Sequence, residues 1–295
     1  MLQLLLQAVV DGILLGGVYS TLALGLSIAY GVMGIINWAT GETLVIGLFM
    51  SYLLVNSLGL DPYLTIPITF LVMGCWGFIL QRFCINHIID HSGERAVPNA
   101  LLFTTGYGYV ASSLMEMIFG TLSRSTVTNY TGKSISLGDF IYLPVPKLIA
   151  CVIAIIGTII LYFFIHRSEV GRAIRATSQD RKTAQLMGIN AKLMLCLGLA
   201  VSFAMLGLTA SLMIPYYPIT PYVGVTFSFK ALIIVVIGGR GNVLGALGGG
   251  LFVALVEKIL GALVSDSFAL IVVFLLFIVV LLVRPNGLMN KRSTT

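Results

Sequence analysis

KLIACVIAIIGTIILYFFI (147–165), HRSEVGRAIRATSQDRKTAQLMGINAK (166–192) and LMLCLGLAVSFAMLGLTASLMI (193–214) follow one another without a break. The outer two stretches are long and apolar enough to cross about 30 Å of hydrocarbon as helices. The middle one is a polar island. Of the chain's 17 Lys and Arg and 11 Asp and Glu, eight lie in it: Arg167, Glu169, Arg172, Arg175, Asp180, Arg181, Lys182 and Lys192. Six are basic, which places the island on the cytoplasmic side of a membrane by the positive-inside bias. A span in, a charged stop and a span out define a polytopic membrane protein.

The whole chain fits that reading. Its 295 residues are 58% hydrophobic and 9% charged, where soluble domains have roughly 45–50% apolar and 25% charged residues. The net charge of +6 sits in loops between apolar runs, so it marks topology and gives no sign of nucleic-acid binding. Cys75, Cys84, Cys151 and Cys196 lie in or beside apolar runs without metal-site spacing, and read as small buried hydrophobes. The N-terminus lacks the basic n-region of a cleaved signal.

Apolar runs recur at about 4–30, 44–58, 63–83, 100–120, 147–165, 193–214, 227–237, 243–264 and 267–283. They predict an all-α protein with eight or nine crossings, forming one membrane domain over 1–295. Asn86 to Asn99 reads as a polar loop, Thr121 to Pro144 as a Ser/Thr/Gly-rich external loop, and Pro215 to Pro221 as a rigid external turn. Arg284, Lys291 and Arg292 place the C-terminus in the cytoplasm. Two segments, near 31–42 and 238–242, mix glycines with polar groups and predict broken or re-entrant elements. Paired interruptions of this kind mark a transport path, because unwound backbone is tolerated at membrane depth only against protein or a water-filled cavity. The alternative is a pair of ordinary surface loops. Asn37, Thr40, Gly41 and Glu42 in the first, with Gly238, Gly239, Arg240, Gly241 and Asn242 in the second, are the candidate path residues.

Charges inside apolar runs need partners or water. Glu42 is placed to cap the helix after the broken segment while facing a cavity. Asp11 and Glu116 lie near the ends of their runs and are expected to reach the headgroups. Glu257 and Lys258 point about 100° apart on a helix, so each requires some other partner or a membrane boundary. His87, His91 and His166 form no metal motif; no phosphate loop, zinc-protease motif or nucleophile with a positioned base is visible. Any ATP is therefore hydrolysed on another chain, and no cofactor is expected on this one.

Within the island, Glu169 to Thr177 predicts one helix. A second runs to Met187, capped by Ser178 or Asp180, with Ala184 and Met187 on one face and Gly188 ending it. Such a helix, held between two spans, suits docking to a cytoplasmic protein. A solvated loop or an anionic-lipid patch is the plainer alternative.

Four segments together resemble the permeases of the branched-chain amino acid ABC importers, the LivH/LivM class, with the LivH half the closer match. They are YGVMGIINWATGE (30–42), GRAIRATSQDRKTAQLMGIN (171–190), KALIIVVIGGRGNVLGALGGGL (230–251) and RPNGL (284–288). The resemblance implies a bacterial inner-membrane complex with a second, LivM-like permease, two cytoplasmic ATPase subunits and an extracytoplasmic substrate-binding protein. It makes residues 167–192 the coupling segment, with Asp180, Ala184, Leu186, Met187, Gly188, Ile189 and Asn190 facing the ATPase. Thr40 stands where the family often has His, and Ala210 where Gly is common. The substrate class thus extends from branched-chain amino acids to urea or short amides, and a stand-alone secondary transporter or channel is the competing class.

Overall fold

In a computed structural model, the described residues are 1–34, 36–92, 95–137, 141–239, 241–284 and 287. They form helices α1 (Leu2–Met33), α2 (Thr40–Leu58), α3 (Thr65–Leu80), α4 (Asn86–Ser92), α5 (Ala96–Phe119), α6 (Val145–Arg167), α7 (Glu169–Gln179), α8 (Arg181–Leu186), α9 (Ala191–Met213), α10 (Val223–Gly238), α11 (Val243–Leu263) and α12 (Asp266–Val283). A π-helical turn, Gln81–Ile85, joins α3 to α4. Strands β1 (Ser134–Leu137) and β2 (Ile141–Pro144) pair antiparallel.

The architecture is all-α and polytopic, as the apolar runs predict. Among the described residues, seven helical stretches are long and apolar enough to cross a membrane: Gln3–Met33, Thr40–Leu58, Thr65–His91, Val145–Arg167, Ala191–Met213, Val243–Leu263 and Asp266–Val283. The apolar helix α10 is shorter, and α5 spans 24 residues but carries Asn99, Thr104, Thr105 and Glu116. Helices rich in Val and Ile, poor helix formers in water, are stable here because lipid offers the backbone no other hydrogen-bond partner.

The centre and the rim differ sharply. In the most apolar part of α1, 89% of residues are buried, and 78% in α9, against 28% in α6 and 17% in α12. Helix α1 is thus the axis, with α11 and α9 on either side of it. Small residues make these crossings close. A Cβ at Gly16 would lie 2.8 Å from Leu251 Cα, and one at Gly207 would lie 2.6 Å from Thr69 O. Buried hydroxyls tie the crossings further: Thr209 Oγ1 donates to Thr21 Oγ1 (2.9 Å), and Ser202 Oγ to Gly25 O (2.6 Å). Ser211 is a hub, with Ser51, Thr65 and Thr69 at 3.0, 3.2 and 2.7 Å.

Several sequence expectations are corrected. Residues 86–92 are not loop: the third span runs on through the π turn into α4, where Gln81 Nε2 donates to Asn86 Oδ1 (2.9 Å) and Lys192 pairs with Asp90 (2.7 Å). The Ser/Thr/Gly-rich segment contains the β1–β2 hairpin, whose alternating Ser-Ile-Ser-Leu pattern is a short strand signal. Asp11 has a partner that its position alone does not reveal: its Oδ1 accepts from Lys147 Nζ of α6 at 2.8 Å. Glu116 accepts a hydrogen bond from the Tyr222 hydroxyl. Cys151 and Cys196 are buried, but Cys84 is half-buried and Cys75 exposed. The Pro215–Pro221 turn is held by an isolated bridge between Arg124 and Ile219.

Candidate functional site

Helix α1 stops at Gly34, whose left-handed φ of 68° lets its N–H return to Tyr30 O at 2.8 Å. The chain does not leave the bundle there. Ile36 lies among Leu26, Tyr30, Leu232 and Val235, and Trp38 packs edge-on against Phe229 at 6.1 Å. The non-helical backbone from Ile36 to Ala39 therefore climbs back along α10, antiparallel to it. This is the predicted broken element, and it lies against protein as the physics of unpaired backbone demands.

Side chains satisfy that backbone. Asn37 is buried, its Oδ1 accepting from Ala39 N–H (3.1 Å), while Thr40 Oγ1 donates to Asn37 O (2.7 Å). Ser228 Oγ accepts from Gly41 N–H (2.7 Å) and lies 2.9 Å from Trp38 O and 3.0 Å from Glu42 Oε2, with one proton to share between them. Gly41 permits this approach, since a Cβ there would sit 1.8 Å from Gly224 O. Glu42 stands in the first turn of α2, where a negative charge suits the helix dipole. Its carboxylate faces a cavity of about 270 Å3 between α2, α5 and α10, lined also by Trp38, Thr105, Ser112, Ser228 and Phe229.

The second glycine-rich element behaves differently. Gly239 (φ 99°) and Gly241 (φ 73°) form a tight turn between α10 and α11, and Asn242 Oδ1 caps α11 by accepting from Leu244 N–H at 3.1 Å. Gly238 is buried against Gly245; Arg240 lies outside the described residues. This turn packs on Gly31 near the end of α1, so it is remote from Glu42. The two elements share α1 and α10, and the cavity beside Gly31 and Gly241 is distinct from the one beside Trp38 and Glu42.

The island folds as two helices. Ser168 caps α7 by accepting from Gly171 N–H (2.9 Å), and Asp180 caps α8, accepting from Lys182 N–H (2.9 Å), Thr183 N–H (3.3 Å) and Thr183 Oγ1 (2.6 Å). The Thr183 hydroxyl bond, with the backbone bonds from Thr183 and Lys182, holds the Asp180 carboxyl below its ordinary value. Ser178 is not the cap; its hydroxyl donates to Arg175 O. Gly188 (φ 83°) ends the segment in the left-handed region, Ile189 N–H returns to Ala184 O (3.0 Å), and Asn190 Oδ1 caps α9 through Leu193 N–H.

The predicted face is corrected here. Ala184 is buried, whereas Leu186 and Met187 are 87% and 78% exposed, so Ala184 and Met187 point apart. Arg181, the first residue of α8, reaches inward: its Nη2 donates to Met33 O at 2.9 Å, and burial pushes its guanidinium pKa down. The island is thus pinned to the last turn of α1, just before the unwound segment. A cavity of about 300 Å3 separates the rest of α7 from α1 and the glycine turn, between Ile174, Arg175, Ser178, Gly31, Val32 and Gly241.

One cluster escaped sequence reading. Lys230 Nζ on α10 lies 2.8 Å from Glu257 Oε1 on α11, and the hydroxyl of Tyr19 on α1 sits 2.6 Å from that ammonium and 3.2 Å from both Glu257 oxygens. Glu257 thus has the partner that Lys258 could not be. Lys230 itself, a lone cation in an apolar run, was the signal available. Among the described residues no group of three or more His, Cys, Asp or Glu is placed to hold a metal.

A central buried helix, an unwound segment inside the bundle and a capped polar island define a polytopic membrane transport component. The chain belongs to the family described as branched-chain amino acid transport system / permease component, whose profile matches residues 8–281. It is 28% identical to the high-affinity branched-chain amino acid transport system permease protein LivH of Escherichia coli K12, over 97% of this chain and 96% of that one. It is 27% identical to the corresponding protein BraD of Pseudomonas aeruginosa over the same shares, and 24% identical to a probable LivH of Methanocaldococcus jannaschii over 98% and 95%. No solved structure matches the chain.

Proposed function

We propose that this chain is the membrane-spanning permease subunit of an ABC importer for branched-chain or related small amino acids, in a bacterial inner membrane with its C-terminus in the cytoplasm. It acts as one permease domain, and residues 167–192 receive the ATPase. The complex comprises a second, LivM-like permease, two cytoplasmic ATPase subunits that bind the ATP, and an extracytoplasmic substrate-binding protein. The names of the relatives support the substrate class.

The observation that carries the coupling role is the pair Leu186 and Met187. Two large apolar side chains stand free on a helix that is capped at both ends and pinned by Arg181 to α1. Burying both against a partner contributes about 3–6 kcal/mol before ordering costs. Movement of the partner then reaches α1 and the unwound segment that leads to Glu42.

Affinity purification from membranes tests this reading. ATPase subunits co-purify with the wild-type chain and are lost from the Leu186→Asp, Met187→Asp double variant, while the permease itself stays folded. A wild-type complex without ATPase, or a double variant that retains it, refutes the assignment.

A further inference from the structure

We propose that the cavity in front of Lys230 and Glu257 is a transient binding site for a zwitterionic α-amino acid with an apolar side chain. The inference rests on the importer reading above and adds the residues that meet the substrate. Lys230 and Glu257 are 14% and 16% exposed, and Tyr19 closes the site behind them. In front lies a cavity of about 190 Å3 whose other walls are Val225, Thr226, Phe229 and Ile233 of α10 and Leu270, Val273 and Phe274 of α12.

An ion pair this deep is a poor stabiliser, since desolvation offsets most of its attraction and a well-packed apolar pair does as well. Its position at the floor of a largely apolar cavity gives it a different use. An α-amino acid carries a carboxylate and an ammonium on one carbon, with the side chain projecting from the same atom. Its carboxylate fits Lys230, its ammonium fits Glu257, and a branched aliphatic side chain fits the Ile233, Leu270 and Val273 wall. Charge-assisted bonds of both signs reject a molecule lacking either group. The volume is below the roughly 300–1,000 Å3 of drug-sized ligand sites, which suits a small solute. The Glu42 cavity, by contrast, presents a carboxylate with no cation in its lining and meets only half of a zwitterion.

The site is transient by construction. The ligand must part Lys230 from Glu257, and their re-pairing at 2.8 Å, with Tyr19 bridging, expels it. Val225 and Phe229 line both this cavity and the Glu42 cavity. A rotation of α10 therefore changes both together.

The test is uptake of labelled leucine by the full complex in proteoliposomes supplied with binding protein and ATP. One variant exchanges the charges, Lys230→Glu with Glu257→Lys, so that a structural ion pair survives while the geometry for a zwitterion is reversed. A second, Leu270→Trp, fills the cavity and leaves both charges in place. Both are expected to assemble with the ATPases yet lose leucine uptake on the order of tenfold to a hundredfold, the charge exchange through the loss of one charge-assisted bond and Leu270→Trp through the filled cavity. Uptake within about twofold of wild type in the charge exchange or in Leu270→Trp overturns the site. Should the exchange fail to assemble, Leu270→Trp alone decides, because Leu270 is 37% exposed and tolerates a larger side chain. Failure of wild-type ATPase co-purification would sink the importer reading instead, and is seen independently of either variant.

Discussion

Replacing Gly41 by Ala probes the contact on which the unwound segment depends. The added Cβ would lie 1.8 Å from Gly224 O and 2.6 Å from Ser228 N, where non-bonded carbon contacts settle at about 3.5–4.0 Å. Both neighbours are backbone, so the start of α2 and the first half of α10 must part by about 2 Å. That separation breaks the Gly41 N–H bond to Ser228 Oγ and frees Trp38 O. Overpacking and the lost bond together destabilise by about 2–4 kcal/mol. Gly106→Ala is the control: nothing lies within 4 Å of its Cβ, and Gly to Ala inside a helix stabilises by about 0.5–1 kcal/mol. Unfolding of the purified protein in detergent should therefore move in opposite directions for the two variants, and only Gly41→Ala should lose uptake. A Gly41→Ala protein that melts at or above wild type and transports normally would refute the reasoning.

Three other expectations are testable. Because the folded Asp180 carboxyl titrates below its ordinary value near 3.8, its cap on α8 is fully present above that value and lost as pH falls through the folded pKa; the protection of the Lys182 and Thr183 amides, taken as exchange relative to the intrinsic rate at each pH, should hold from pH 8 to 5 and fall only in stronger acid. Arg181→Ala removes the bond to Met33 O while leaving Leu186 and Met187 in place, so ATPase co-purification should persist as substrate moved per ATP falls, and Arg181→Lys should restore part of it. Ser211→Ala strands the hydroxyl of Ser51, at a cost of about 1–3 kcal/mol, whereas Ser51→Ala with Ser211→Ala should recover much of it; strict additivity in that cycle would show the pair is not coupled.

What the chain's order of residues reveals is what short-range physics controls. Gly188 ending the island, Asp180 capping α8 and the break after Met33 are local events, fixed by backbone preferences within a few residues, and all three are legible. The partners of the buried charges are not. Asp11 meets Lys147 across 136 residues, and Tyr19 meets Glu257 across 238; no local pattern encodes which helix lies beside which. The same limit explains Met187. Periodicity puts it with Ala184, but α8 ends at Leu186 and Met187 is already the C-cap, so its side chain leaves the helical face. The glycines of 238–242 resemble those of 31–42 in composition, yet a turn between packed helices and an unwound strand differ only in tertiary surroundings.

The place of α1 at the centre has a consequence for how the protein is made. It is synthesised before α9, α10 and α11, which carry the groups that satisfy it: Ser202 and Thr209 on α9, then Lys230 and Glu257. Until those residues emerge, the hydroxyl of Tyr19 and the faces of α1 at Gly12, Gly16 and Gly25 lack their native neighbours on α9, α10 and α11. Assembly therefore waits on long-range contacts with high loop-closure cost. Damage to α9 or α11 should thus appear first as poor membrane yield, with α1 left unsheathed in the nascent chain, before it appears as slow transport.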